Sequence, residues 1–387
     1  MLFGKEDMIL NVKQDRWSDQ LVSQHHLFEK LNRSIQQNRF PHFSLLLGRP
    51  GNGQLLLALS VAQSILCISD EKPCGTCDAC YKVSKLIHPD LHFSFPLNSP
   101  KETCQQHYKE WRSAIQEKPF MGISQWFSYL EGDSKNANIS VTEISNVLNT
   151  LSLKPFESEN SVLIVWLPEY LGRDSNRLLK FFEEPPDHVF IILASENQEL
   201  ILPTVLSRAQ IFRMNAIQMD DAIQTLSTKE PSYKQDELVS AWLAGNGNMQ
   251  QTLNVLENQN NPSVEYLRKL LQSAFTYNAI ELTEWVEQFA GLNKEEQKNF
   301  LQWIQQFLSL VIREKFKLNP DQEFQNNPVL QYANKLSNSL SVSQIEHWDD
   351  LLNDTLLYLQ RNANVKLMMT NFSIKLSHIL RKNKPLN

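Results

Sequence analysis

Three short apolar runs stand out in the first half of the chain. They lie at Phe43–Leu47, Val162–Leu167 and Val189–Ala194, and in each the apolar residues are continuous rather than alternating. Runs of this kind are typical of strands in a parallel sheet that helices cover on both faces. Turn or polar residues follow each run and helical patterns lie between them, so the sequence predicts an α/β domain over roughly the first 210 residues.

The second half of the chain has a different pattern. After about residue 213 strand signals disappear, and apolar residues recur at helical spacing, as in Ile304, Phe307, Leu308, Val311 and Ile312. This spacing predicts helices with one buried face. Clusters of Asn, Gln and Pro at 258–262 and 319–328 are typical of loops. We therefore expect a helical bundle that follows the α/β domain after a linker.

The segment from 95 to 138 fits neither pattern, and we interpret it as an insertion. It is rich in aromatic residues, namely Trp111, Phe120, Trp126, Phe127 and Tyr129. Aromatic side chains bury large apolar areas, so we expect these residues to pack on the sheet domain. A surface for a partner protein is the alternative use.

Composition and charge narrow the classes of protein. Hydrophobic residues make up 42% and charged residues 21% of the 387 positions, which is typical of a folded chain with more than one domain. The net charge of −6 argues against a basic nucleic-acid coat as the main mode of action. No apolar run approaches the ~18 residues of a transmembrane helix, and Met1–Asp7 does not resemble a signal peptide. We therefore expect a cytoplasmic protein without a membrane partner.

A glycine-rich loop follows the first predicted strand. Gly48, Gly51 and Gly53 keep the glycine spacing of the phosphate-binding loop G-x-x-x-x-G-K-[ST]. Gln54 replaces the lysine that reaches the phosphates, and Leu55 replaces the hydroxyl that binds Mg²⁺. Backbone N–H groups at the helix start could still hold an anion. The loop thus argues against hydrolysis and gives weak support for ATP binding, and an ordinary strand–turn–helix is the alternative interpretation.

The second predicted strand lacks the acidic pair of an ATPase. The segment Ile164–Glu169 places no carboxylate on the strand, and its Glu169 follows Pro168. We expect this carboxylate to point away from the loop. Two catalytic positions are therefore missing together, which indicates a nucleotide-binding scaffold without ATPase chemistry.

Four of the five cysteines form a tight group in the sequence, at Cys67, Cys74, Cys77 and Cys80. Four thiolates can surround Zn²⁺ as a closed tetrahedron, which is typical of a structural site. Another metal, an iron–sulfur cluster or free thiols are the alternatives. Cys104 stands apart and is expected to take no part.

Several motifs between Val22 and about Leu256, and a weaker one near the C-terminus, resemble a known family. They are Arg39–His42, the cysteine group with His88–Leu91, Ile139–Pro155, Asn176 with Leu178–Pro186, Leu202–Arg208 with Ala209 in place of Cys, and Asn362–Leu367. Together they resemble the delta-prime subunits of bacterial DNA polymerase III clamp loaders, which are AAA+ proteins. The segment Leu178–Pro186 is the most specific match.

This resemblance implies a role in a ring of five AAA+ subunits, in which an arginine of one subunit acts on ATP held by its neighbour. On that pattern the ATP site of this chain is inactive, and Arg208 is an arginine finger acting in trans. The local alternative is that Arg208 pairs with Glu183 or Glu184. Gln250 occupies the place of a sensing arginine in the lid motif, although a plain helix start capped by Asn248 explains that segment equally well.

The resemblance implies an AAA+ α/β domain at 1–212 with a zinc module at 67–80, a helical lid at 213–258 and a collar for assembly at 259–387. The implied partners are the gamma/tau ATPase subunits and the delta subunit, with the sliding clamp and primed DNA reached through the assembled complex of the polymerase holoenzyme. No ATPase activity of the chain itself is expected.

The sequence is also compatible with two other functions. A self-sufficient AAA+ ATPase of DNA metabolism would need the missing lysine, hydroxyl and acidic pair. A zinc-containing nucleic-acid-binding module would need basic residues near the cysteines, where Asp70, Glu71 and Asp78 outnumber Lys72.

Overall fold

The computed structural model describes residues 16–130, 137–175, 181, 186–229, 231–245, 247–257, 262–292, 294–317, 328–361 and 363–381. The chain divides after Ala222 into two compact units. The first unit contains the sheet, and all elements described in the second unit are helices. The finer division into a lid at 213–258 and a collar at 259–387 stays a prediction.

The first unit is built on a five-stranded parallel sheet with the order β2-β3-β4-β1-β5. Its strands are β1 (Phe43–Leu47), β2 (Leu91–Ser94), β3 (Ser161–Trp166), β4 (Val189–Ser195) and β5 (Gln210–Arg213). The three strands expected from apolar runs are the three central ones, and the parallel α/β prediction is confirmed. The two edge strands were missed because each has only four residues, and β5 has no buried residue.

Helices surround this sheet. They are α1 (His25–Gln36), α2 (Gln54–Leu66), α3 (Asp78–Ser84), α4 (Tyr108–Glu117), α5 (Ile123–Tyr129), α6 (Val141–Leu151), α7 (Pro203–Leu206) and α8 (Met219–Lys229), the last of which spans the division between the units. All 13 residues of α2 are buried, because this helix packs between the sheet and other helices. A helix that is buried all round fixes the segments at its two ends, which are the glycine-rich loop and Cys67.

The insertion packs on the carboxyl end of β3. Trp111 and Trp126 are fully buried, with ring centres 5.1 Å apart. Trp111 stacks on Phe95 at 4.2 Å and lies 5.2 Å from Trp166, the last residue of β3. The Trp126 indole N–H donates to the carbonyl of Pro96 at 2.8 Å. The expectation that these aromatic residues pack on the sheet domain is confirmed.

A buried carboxylate connects β2 with the loop before β3. Asp90 is 3% exposed, and its side chain accepts hydrogen bonds from the backbone N–H groups of Phe156, Glu157 and Ser158, each at 2.9 Å or less. Charge-assisted hydrogen bonds of this kind compensate the cost of burying the charge. The loop that enters β3 is therefore held by a single side chain.

The helices wholly within the second unit are α9 (Gln235–Ala244), α10 (Met249–Glu257), α11 (Pro262–Thr276), α12 (Ala279–Gly291), α13 (Lys294–Lys315), α14 (Pro328–Ser339), α15 (Val342–Gln360) and α16 (Val365–Arg381). Their core includes Phe289, Phe307, Trp348 and Phe372, each at most 1% exposed. The helical prediction for this half is confirmed. Within the ranges given above, no helix combines the length and the apolar character needed to cross a membrane.

Replacing Asp90 tests the importance of the buried carboxylate. We expect Asp90→Asn to lower the free energy of unfolding by about 2–3 kcal/mol, because the neutral amide makes weaker hydrogen bonds and brings donors that face other donors. Urea and thermal denaturation would measure the loss. The matched control is Asp187→Asn at an exposed acid, for which we expect a change within about 0.5 kcal/mol. Equal effects of the two substitutions would contradict the assignment.

Candidate functional site

The glycine-rich loop connects β1 with α2, and two of its glycines have a left-handed backbone conformation. Gly51 and Gly53 have φ values of 78° and 83°, in the left-handed region that favours glycine. The N–H of Gly48 donates to the carbonyl of Ser195, at the end of β4, at 3.2 Å. The loop thus lies against the carboxyl end of the neighbouring strand, and its glycines are explained by backbone geometry.

The side chain at the usual lysine position turns back into the loop. Gln54 is 5% exposed, and its amide nitrogen donates to the carbonyls of Gly48 and Arg49, each at 2.8 Å. Leu55, at the usual hydroxyl position, is 4% exposed. A buried neutral amide and a buried leucine supply neither a cation for phosphate nor a ligand for Mg²⁺.

Glu169 lies at the same edge of the sheet and binds the end of β4. One carboxylate oxygen accepts hydrogen bonds from the Ser195 hydroxyl at 2.7 Å, and from the N–H groups of Glu196 and Asn197 at 2.6 and 2.7 Å. Burial, assisted by the nearby Glu169 charge, raises the pKa of Glu196 to about 7. Ser195, which the sequence analysis did not single out, therefore connects Glu169 with the glycine-rich loop. The sequence signal that could have identified Ser195 is its position directly after the predicted strand Val189–Ala194.

The four predicted metal ligands come together. The sulfur atoms of Cys67, Cys74, Cys77 and Cys80 all lie within 4.8 Å of one another. Measured separations are 3.7 Å for Cys67–Cys74 and 3.9 Å for both Cys67–Cys77 and Cys74–Cys80. Four sulfur atoms about 2.3 Å from a tetrahedral Zn²⁺ would be separated by about 3.8 Å. The geometry therefore fits a four-thiolate metal site.

The electrostatics of this group also favour a bound cation. Hydrogen bonding from Cys80 is the main cause that lowers the pKa of Cys67 to about 4, and the same contact raises the pKa of Cys80. Ionisation of Cys67 therefore disfavours ionisation of Cys80. A dication removes this competition, because it stabilises all four thiolates at once.

The cysteine group is fixed to the rest of the first unit through α2. Cys67 directly follows α2, and Gln63, one turn earlier, donates to the carbonyl of Cys80 at 3.0 Å and accepts from the N–H of Trp17 at 3.0 Å. Arg16 donates to the carbonyl of Cys74 at 3.1 Å. Cys104 lies apart, buried, with its thiol donating to the carbonyl of Phe95 at 3.3 Å. It is not part of the metal-ligand group within the described residues.

Arg208 lies in the short connection between α7 and β5, two residues before the strand begins. It is exposed, and its guanidinium donates to the carbonyl of Thr204 at 2.8 Å and lies 3.4 Å from the Ser207 hydroxyl oxygen. The alternative partners Glu183 and Glu184 lie outside the described residues, as do Asn176, Leu178–Lys180 and Asn362 of the family motifs.

The segment around Gln250, which resembles the lid motif, starts a helix that Asn248 caps, as the alternative interpretation of this segment predicts. Asn248 precedes α10, and its side-chain oxygen accepts the N–H of Gln251 at 3.2 Å. Gly247 has a φ of 71°, which explains the glycine before the cap. Gln250 is partly buried in the first turn of α10, and its proposed link to nucleotide sensing stays a prediction.

These features define the class of protein. A parallel sheet is followed after β1 by a glycine-rich loop and after α2 by a four-cysteine group, and a helical unit comes later in the chain. The family described as "DNA polymerase III, delta subunit" matches residues 23–218, which is just over half of the chain. The chain belongs to this family.

Named relatives agree with this assignment. The DNA polymerase III subunit delta' of Escherichia coli is 23% identical over 364 residues, which are 92% of this chain and 94% of the relative. The subunit delta' of Haemophilus influenzae is 21% identical, over 76% of this chain and 77% of the relative. A subunit gamma of Buchnera aphidicola is 24% identical, over 69% of this chain and 66% of the relative.

The partly buried Glu196 beside Glu169 leads to a pH-dependent prediction. The folded-state pKa of Glu196 is about 7, above its ordinary value of 4.5, so its contribution to stability is present below pH 4.5 and is lost as the pH rises through 7. We expect Glu196→Gln to raise the free energy of unfolding by on the order of 2 kcal/mol at pH 8 and by little at pH 5. Thermal denaturation across this pH range would measure it. The exposed Glu199→Gln should show no such dependence, and a pH-independent effect of Glu196→Gln would contradict the assignment.

Metal analysis tests the cysteine group. We expect the purified protein to carry one metal ion that Cys77→Ser removes, because three thiolates form an incomplete tetrahedral site. Elemental analysis would measure metal content, and a chelator should lower the melting temperature of the wild type because metal binding is coupled to folding. Cys104→Ser is the matched control and should keep the metal. Equal metal loss in both variants would show that the ion is not held by the cysteine group.

Proposed function

We propose that this chain is a delta-prime subunit of a DNA polymerase III clamp loader. In this proposal it hydrolyses no ATP itself, completes the five-membered loader and supplies Arg208 to the ATP site of a neighbouring subunit. The family assignment and the delta' relatives support the general role, and the loop chemistry supports the inactive site. Gln54 and Leu55 provide neither the charge nor the hydroxyl that nucleotide hydrolysis needs.

The observation that carries the trans assignment is the position of Arg208 on the sheet. In the parallel sheet, β1 and β5 are neighbours, with Ser44 opposite Gln210 and Leu47 opposite Arg213. The glycine-rich loop follows Leu47 at the carboxyl edge, whereas Arg208 precedes Gln210 at the amino edge. Three strand residues at about 3.3 Å each separate the two edges by about 10 Å. Arg208 is thus placed at the edge opposite to the loop of its own chain, and an ATP site on another chain is the fitting target.

The local structure suits a cation presented to another subunit. Arg208 is exposed, and α7 with its following turn holds the guanidinium through the Thr204 carbonyl. A short helix anchored by Pro203 at its first position restricts the backbone before the arginine. A fixed arginine that meets a γ-phosphate stabilises the charge that develops on the transferred group.

The cysteine group has a structural role in this proposal. Zn²⁺ is the metal that fits four thiolates without an open position. It would bind Cys67, Cys74, Cys77 and Cys80 and hold the segment between α2 and α3. No part of the proposed reaction passes through it.

The second unit, which is helical, would hold the subunits of the loader together. Its last two helices expose apolar side chains, with exposed fractions of 42% for Leu357, 48% for Tyr358, 73% for Leu367 and 42% for Ile374. Grouped apolar residues on a surface are typical of protein–protein contacts. We propose that this unit packs against the gamma/tau ATPase subunits and the delta subunit in the cytoplasm. The sliding clamp and primed DNA would be reached through the assembled complex.

The test is ATP turnover by the loader reconstituted from the chains of the same organism, with clamp and primed DNA present. We expect Arg208→Ala to assemble normally and to lower turnover at the adjacent site by about tenfold or more, since arginine fingers contribute ~10³–10⁵ in rate in GTPases. Arg208→Lys should restore little activity, because an ammonium lacks the planar fork of guanidinium.

The matched control is Arg213→Ala, which removes another exposed arginine at the opposite end of β5. This variant should assemble and hydrolyse ATP like the wild type. Unchanged turnover in Arg208→Ala would refute the finger assignment. A loss of assembly measured by size-exclusion chromatography would instead show that Arg208 serves the interface alone.

A further inference from the structure

Residues 51–55 of the glycine-rich loop and the start of α2 are buried, whereas Arg49 and Pro50 are exposed. Asn52, Gln54 and Leu55 are 4%, 5% and 4% exposed, and Gly51 and Gly53 are buried as well. A loop that receives a nucleotide has to present its backbone N–H groups to an open cleft. Other parts of the chain therefore pack against residues 51–55, where the loop passes into α2.

Phe120 of the insertion is one of these side chains. A Cβ atom built on Gly53 would lie 3.0 Å from Cε1 and 3.6 Å from Cδ1 of the Phe120 ring. Gly53 is the residue directly before α2, so it belongs to the helix start at which a phosphate would bind. The ring is 6% exposed and the next residue, Met121, is 5% exposed. An apolar ring thus lies against Gly53, the residue at which the loop passes into the N-terminus of α2.

The insertion holds this ring in place through contacts on both sides of it. Trp111 in α4 and Trp126 in α5 are both fully buried at the end of β3. Phe120 lies in the short connection between these two helices. At the base of the insertion, Leu97 and Asn138 exchange two backbone hydrogen bonds of 3.0 Å. Its start is fixed by the buried Glu143, which accepts the N–H of Cys104 at 2.8 Å.

We propose that the insertion is an internal occupant of the nucleotide site, with Phe120 in the place of a phosphate group. This inference goes beyond the proposed function and is independent of Arg208. The loss of lysine and hydroxyl weakens nucleotide binding, whereas the aromatic ring removes the space for it. The first unit would then keep one conformation whether ATP or ADP is present, because no ligand can enter or leave.

Hydrogen exchange tests whether Phe120 covers the loop. In the nucleotide-free full-length chain, we expect slow exchange for the backbone amides of a peptide that contains 51–55. Phe120→Ala should increase this exchange at least tenfold, while peptides from β3 and β4 keep their rates. The matched control is Phe127→Ala, another buried phenylalanine of the insertion, whose ring is not among the atoms nearest to Gly53. Unchanged exchange in Phe120→Ala, or an equal increase in both variants, would overturn the proposal.

Nucleotide binding tests whether space is what excludes ATP. The double substitution Gln54→Lys with Leu55→Thr restores the loop chemistry but keeps the ring, and adding Phe120→Ala removes it. We expect Mg-ATP binding, measured by calorimetry on the full-length chain, only for the triple variant. Equal binding by the double variant would overturn the proposal, because the ring would then not obstruct the site. Absence of binding in a folded triple variant would also overturn it, because a repaired and open loop should take up nucleotide.

Discussion

The direction of the strands in the parallel sheet is the constraint on which the rest of the structure depends. Segments that follow strands all emerge at one edge, and segments that precede strands all emerge at the other. The glycine-rich loop after β1, Glu169 after β3, Ser195 at the end of β4 and the start of the insertion after β2 therefore share the carboxyl edge. Arg208 precedes β5 and falls at the opposite edge. The separation of the glycine-rich loop from Arg208 follows from this topology.

The buried helix α2 connects the two candidate sites. Its first residue closes the glycine-rich loop, and Cys67 at its other end is a member of the cysteine group. Because all of its residues are buried, neither end can shift without disturbing the core that it shares with the sheet. The left-handed conformations of Gly51 and Gly53 belong to the backbone path into α2, so these glycines have a role in the fold whatever the loop binds.

Much of this architecture was accessible from the pattern of residues, and the exceptions have physical reasons. The central strands were predicted within one residue at either end because a strand covered on both faces needs an unbroken apolar run. The edge strands β2 and β5 gave no such signal, since an edge strand has only one neighbour and tolerates polar residues. The cysteine group was predicted from spacing alone because its four members lie between positions 67 and 80, so that one short connection between two helices brings them together. Ser195 was missed because its role depends on a hydrogen bond to Glu169, which lies 26 residues away.

The sequence by itself determined the α/β and helical halves, the four-thiol group and the absence of phosphate chemistry at Gln54 and Leu55. These properties depend on residue type and short-range spacing, which the chain carries locally. Only the tertiary structure decided that Arg208 and the loop lie at opposite edges, and that Phe120 packs on Gly53. Both facts depend on contacts between segments far apart in sequence, which strand order and core packing establish. The aromatic residues of the insertion were visible as candidates for burial, but only packing revealed which surface they cover.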